Sequence, residues 1–340
     1  MHILTQNIPV REEPKREIWL EILNNAISDP EILLDKLNLS LDDFEQDSQA
    51  RKLFALRVPQ PFIDRMEKGN KKDPLFLQVM TSAQEFLQVD GFVKDPLDEQ
   101  HNAAPNILHK YHNRLLLMVK NSCAVNCRYC FRRHFPYNQN AGNKANWQKA
   151  IDYIYQNPQI EEVIFSGGDP LMAKDKELDW LIKQLENVPH LQRLRIHTRL
   201  PVVIPERITT KLCQILCKTQ LQVVFVTHIN HGNEIDANLT NALLNLKQTG
   251  ITLLNQSVLL KGINDNAHTL KALGDALFRA GVLPYYLHLF DKVEGASHFY
   301  LEDEEAIKIY QELQAITSGY LVPKLAREIA GKPNKTLFSS

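Results

Sequence analysis

Cys123, Cys127 and Cys130 stand at C-x3-C-x2-C spacing just after the apolar run Leu115 to Val119. Three thiolates this close in a loop can each bind one iron of a cubane cluster, because iron–sulfur clusters are held by cysteine thiolates. A fourth iron with no protein ligand would stay open to a small molecule. The same residues allow a second chemistry: with His134, four positions past Cys130, they could form a Cys3His zinc site. The other two cysteines, Cys213 and Cys217, are four apart in a helical pattern and read as inert core residues on one face.

Further polar groups close short apolar runs downstream: Ser166-Gly167-Gly168-Asp169, His197-Thr198-Arg199, Thr227-His228, Asn255-Gln256 and Asp291. Paired glycines let a ligand approach the backbone, and an adjacent carboxylate can accept a bond from an ammonium.

The elements needed to hold these groups are visible as a repeating strand-then-helix rhythm. Strands are expected at Leu115–Lys120, Glu162–Ser166, Leu194–Thr198, Val223–His228, Thr252–Leu260 and Leu283–Phe290, each apolar and rich in β-branched or aromatic residues. Helices are expected at Trp147–Gln156, Lys176–Glu186, Glu206–Cys217, Ala237–Gln248, Ala267–Arg279 and Glu302–Thr317, with Gly250 and Gly281 as C-terminal caps. Six βα units imply a parallel α/β sheet with right-handed crossovers. Six rather than eight suggests a partial, open (βα)6 TIM-like barrel, although periodicity alone also allows a doubly wound sheet. The polar groups decide for the barrel: all fall at C-terminal strand ends, where α/β barrels build active sites.

Residues 1–108 read as a mainly helical extension that covers something else, with no chemistry of its own. Its apolar stripes run through Ile18, Leu20, Ile22 and Leu23, then Ile32, Leu33 and Leu37, then Leu53, Leu56 and Phe62. Asp29-Pro30-Glu31 is a helix start. The expected division is this extension, a barrel over 109–317 and a tail over 318–340.

Composition narrows the class. At 340 residues, with 44% apolar and 23% charged, the chain reads as soluble and globular. A net charge of −1 gives no global electrostatic case for nucleic acid or membrane as partner. Five cysteines, an odd number, suit a reducing cytosol better than a disulfide framework. Met1 to Glu17 lacks the apolar core of a signal peptide, and no run approaches membrane-spanning length. A cytoplasmic location is expected.

Tyr129, just before the last cysteine, makes the loop resemble the radical S-adenosylmethionine signature, in which the cofactor's methionine end chelates the open iron. Ser166 to Asp169 resembles the segment that grips its amino group. Four more stretches narrow the resemblance: Gln256-Ser-Val-Leu-Leu-Lys-Gly-Ile-Asn-Asp265, Leu283-Pro-Tyr-Tyr286, Ser318-Gly-Tyr-Leu-Val-Pro323 and Ala330-Gly-Lys-Pro-Asn-Lys-Thr336. From residue 75 to residue 336 the chain resembles the lysine 2,3-aminomutase family. It is most similar to the short branch that makes β-lysine for modifying translation elongation factor P, since it stops soon after Lys335.

This resemblance implies a [4Fe–4S] cluster on Cys123, Cys127 and Cys130, with S-adenosyl-L-methionine held at Gly167, Gly168 and Asp169. It implies pyridoxal 5'-phosphate joined to Lys335 as a Schiff base, with Lys110, Tyr111, Arg114, Gln256 and His228 around the cofactor. Arg132 would take the carboxylate of L-lysine, and Asp291 and Glu328 its distal ammonium. The implied reaction is radical isomerisation of L-α-lysine to (R)-β-lysine. Flavodoxin or ferredoxin would act as electron donor, and elongation factor P and its lysyl-ligase as functional partners. A radical enzyme acting on another amino acid or on RNA, and a zinc-binding interaction module, are the alternatives. Two departures from the clostridial-type pattern reshape the pocket: Glu328 replaces an aspartate, and Gly331-Lys332-Pro333-Asn334 replaces a glycine run.

Overall fold

The computed structural model describes residues 17–100, 106–136 and 142–338. Its sheet holds nine strands: β1 (Ile107–Tyr111), β2 (Arg114–Lys120), β3 (Glu162–Gly167), β4 (Arg193–Thr198), β5 (Gln222–His228), β6 (Thr252–Val258), β7 (Leu283–His288), β8 (Lys324–Arg327) and β9 (Thr336–Leu337). They lie side by side in sequence order. β2 through β8 are parallel, and β1 and β9 are antiparallel at the two edges. A doubly wound sheet reverses its strand order at a switch point. This order never reverses, which is the open-barrel arrangement.

Helices Lys144–Gln156, Asp175–Glu186, Thr210–Lys218, Ala237–Lys247, Ala267–Arg279 and Asp303–Ile316 connect the parallel strands. Thr209, Asp236 and Asn266 cap three of them by accepting the amide of the third helical residue. Gly250 and Gly281 follow helices with φ of +84° and +77°, a conformation that favours glycine. β3 is buried along its whole length, which suits the apolar run Val163-Ile164-Phe165 at its centre.

Several expectations need correction. Lys110 and Tyr111 do not precede the first strand; they end β1, which turns through His112 and Asn113 into β2. Within the expected tail, two strands not foreseen join the sheet: β8 extends it in parallel beside β7, and β9 folds back on β8. β6 and β7 each stop two residues early. The helix expected from Glu206 begins at Thr210, because Pro205–Arg207 forms a separate tight turn. Leu212, Ile215 and Leu216 take that helix's buried face, which leaves Cys213 partly covered and Cys217 exposed rather than in the core.

The N-terminal extension shares one core with the barrel: Trp19, Leu33, Leu37, Leu56 and Phe62 pack in the same cluster as Val163, Phe165 and Leu194. Asp29 caps its helix as expected, accepting from the Glu31 amide at 3.1 Å. Ile18, Ile32 and Leu53 of the expected stripes are exposed instead. Arg207, fully buried, lies 4.8 Å from the Trp19 ring and 2.7 Å from Asp175, joining extension to barrel. Among the described residues no helix is long and apolar enough to cross a membrane.

Candidate active site

The cysteine loop leaves the end of β2 and is strapped down by the extension. Asn126 donates its amide to Arg57 O (3.1 Å) and its side chain to Ala55 O (2.9 Å). Arg57 in turn reaches Cys123 O at 3.2 Å. Arg128 is fully buried; its guanidinium pairs with Glu85 and donates to Phe54 O at 2.8 Å. Glu85 also holds Arg133 at 2.5 Å. The extension therefore shapes the loop, a role the sequence did not reveal.

Cys123, Cys127 and Cys130 carry free thiols that line a cavity of about 740 Å³. Burial pushes the Cys130 thiol up to about 11, and burial together with Asp169 pushes Cys123 well above its ordinary value. Among the described residues no three His, Cys, Asp or Glu side chains converge on one ion. In a cubane each thiolate would take a different iron, so the three need not meet at one point. His134, the fourth ligand of the zinc alternative, bonds Glu294 O through Nε2 at 3.0 Å. Three thiolates on one cavity fit a cluster.

Gly167 ends β3, Gly168 follows it, and both lie against the strand end that feeds the cysteine loop. A Cβ on Gly168 would stand 2.5 Å from Ser122 O, and one on Gly167 would stand 2.5 Å from Lys120 O. Gly168 N–H donates to Lys120 O (2.8 Å) and Asp169 N–H to Ser122 O (3.0 Å). Asp169 departs from the expectation that its carboxylate awaits an ammonium. Both oxygens are already engaged, by Thr198 Oγ1 and by the amides of Leu171, Arg199 and Leu200. Asp169 thus ties the end of β3 to the end of β4.

At the other side of the cavity, charges alternate. Lys335 Nζ donates to Glu328 Oε2 (2.5 Å), and Lys110 Nζ donates to Glu328 Oε1 (3.0 Å) and Glu99 Oε1 (2.9 Å). Arg132 grips Glu99 through Nε (2.5 Å) and Nη2 (3.0 Å) and reaches Ser166 Oγ through Nη1 (3.1 Å). Lys335 and Lys110 hold Glu328 down to about 2 against the effect of burial. Asp291 lies nearby, and burial with the Glu328 charge pushes it up to about 7. Glu99 lies in the extension, where no chemistry was expected.

β5, β6 and β7 bring His228, Gln256 and His288 to the wall. The Gln256 amide meets His228 Nε2 at 2.7 Å. Burial and the Arg199 charge drop His228 to about 3, and burial with Lys335 does the same to His288, so both rings are neutral. Arg114 stacks on the Tyr111 ring at 4.1 Å, and both line the cavity. Asn255 and Thr227, also expected at the rim, bond each other at 2.9 Å behind the wall. Arg199 lines the cavity and pairs with Glu234 (3.0 Å).

Comparison with known proteins agrees with this geometry. The Radical SAM superfamily profile matches residues 117–273. An L-lysine 2,3-aminomutase of Haemophilus influenzae is 67% identical over all of both chains. One of Escherichia coli is 58% identical, covering 98% of this chain and 97% of that one. One of Clostridium subterminale is 34% identical, covering 94% and 77%. With full-length identity at this level, the chain belongs to the L-lysine 2,3-aminomutase family of radical SAM proteins.

Proposed function

We infer that this chain isomerises L-lysine to β-lysine with a [4Fe–4S] cluster, S-adenosylmethionine and pyridoxal phosphate. The observation that carries the reading is one cavity lined on one side by three free thiols and on the other by an amine, Lys335 Nζ, paired to a carboxylate. When bound, the cofactors supply a carbon radical that removes a hydrogen atom and a π-system across which nitrogen can migrate.

The chain's own residues bind, orient and exclude. Cys123, Cys127 and Cys130 would hold three irons. Gly167 and Gly168 let the end of β3 pack directly on the Lys120–Ser122 backbone and would present their own backbone to S-adenosylmethionine, while Asp169 keeps that backbone in place. Lys335 offers the amine for the cofactor aldehyde. Lys110 and Arg114 give cations suited to a phosphate, and Tyr111, Gln256 and neutral His228 give polar contacts. Arg132 suits a planar carboxylate. Asp291 and Glu328 make an acidic seat for a distal ammonium, which favours lysine over acidic or apolar amino acids.

By the same reading the protein works in the cytoplasm, takes electrons from a flavodoxin or ferredoxin, and supplies β-lysine for modifying elongation factor P through its lysyl-ligase. The test is Lys335→Ala: it should retain cluster iron and cleave S-adenosylmethionine while forming no β-lysine. Wild-type β-lysine formation by that variant overturns the assignment of Lys335.

A further inference from the structure

Glu99 has a buried carboxylate, 4% exposed, that no step of the proposed reaction uses. It is fixed from behind. Its own amide donates to Asp95 Oδ1 and that of Gln100 to Asp95 Oδ2, both at 2.9 Å. Lys110 Nζ reaches back to Leu97 O at 3.2 Å, so the turn and the cation brace each other. Arg132 and Lys110 hold the carboxylate below its ordinary range despite burial, so it is anionic at neutral pH.

A guanidinium offers a carboxylate two forks, Nε with Nη2 and Nη1 with Nη2. Glu99 occupies the first, at 2.5 and 3.0 Å. The second fork points to Ser166 Oγ, at 3.1 Å from Nη1, on the cavity wall. A long cation facing a cavity this wide would otherwise sample several rotamers, and ordering it would fall on the ligand. Glu99 has already ordered it. The same oxygen that meets Nη2 also meets Lys110, whose other partner is Glu328, so the carboxylate seat and the ammonium seat belong to one chain of ion pairs.

We propose that Glu99 is a positioning residue for amino-acid recognition. It fixes the inner fork of Arg132 so that the outer fork meets the substrate's α-carboxylate, and through Lys110 it ties that seat to Glu328. The proposal rests on the reading that the substrate is an α-amino acid with a distal ammonium.

The test is calorimetric binding of L-lysine and of 1,5-diaminopentane, the same diamine without the carboxylate, to the anaerobically loaded holoenzyme with no reductant added. The wild-type protein should prefer lysine. Glu99→Gln should lower that preference roughly tenfold, with the larger loss falling on lysine. Glu99→Asp, which keeps the charge, should recover part of it. Arg132→Gln should abolish the preference, and Glu99→Gln added to it should cost nothing further. Wild-type preference in Glu99→Gln, or an equal loss for both ligands in both Glu99 variants, overturns the positioning role while leaving the lysine reading in place. A wild-type protein with no preference for lysine removes the substrate reading and this proposal together.

Discussion

Lys335 and Lys110 approach the same carboxylate from its two oxygens: Glu328 lies 2.5 Å from one amine and 3.0 Å from the other. The amine assigned to the cofactor and a cation assigned to its phosphate are thus held by one anion, which stands immediately after β8.

Glu328→Gln leaves two cations facing a neutral amide. The expected cost is about 1–3 kcal/mol, read as a lower melting temperature at pH 7. Because the folded chain holds Glu328 down to about 2, its stabilisation is present above the ordinary carboxylate pKa and is lost as pH falls through about 2. The gap between wild type and variant should therefore be widest above pH 5 and close on acidification.

Glu85 pairs with both Arg128 and Arg133 behind the cysteine loop, with all three side chains almost fully buried. Glu85→Gln strands two guanidinium groups and should destabilise the protein by about 3–5 kcal/mol. Iron per chain after anaerobic reconstitution should fall with it, since the same loop carries the thiolates. Full iron loading in a protein of unchanged melting temperature would show that the strap is dispensable.

Gly168→Ala forces a methyl group to within 2.5 Å of Ser122 O and 2.7 Å of Ser122 N. Iron loading and S-adenosylmethionine binding should both drop. Gly250→Ala is the control. It meets nothing within 4 Å but has φ of +84°, so it should cost about 1–2 kcal/mol and leave iron content unchanged.

Asp291 titrates near neutrality, pushed up to about 7 by burial and Glu328. An ammonium ligand needs it ionised, so the KM for lysine should fall as pH rises from 6 to 8, and Asp291→Asn should flatten that dependence. The linkage to stability has the opposite sign. Between the ordinary aspartate pKa and about 7 the folded chain holds a proton that the unfolded chain releases. That contribution is present at low pH and is lost as pH rises through about 7.

The six βα units were legible because their strands are short apolar runs and their helices have well-spaced caps. β1, β8 and β9 were not. Lys324-Leu-Ala-Arg327 has no β-branched residue and two charges, and it becomes a strand because the edge of β7 offers it backbone partners. The thiolate spacing and Lys335 stood out through chemistry and family resemblance. Glu99 stayed hidden because an acid in Asp95-Pro-Leu-Asp-Glu-Gln100 reads as a solvated turn. Its burial comes from Lys110 and Arg132, which only the folded chain brings to it. Asp169 shows the converse: the motif singled it out for its carboxylate, and the fold engages that carboxylate with four donors.

The most direct measurement is product analysis after anaerobic reconstitution with iron and sulfide, then incubation with a reductant, S-adenosylmethionine, pyridoxal phosphate and L-lysine. The expected result is β-lysine, formed by protein carrying about four irons per chain. Cleavage of S-adenosylmethionine by fully loaded protein, with L-lysine left unchanged, would contradict the aminomutase reading while keeping the radical class.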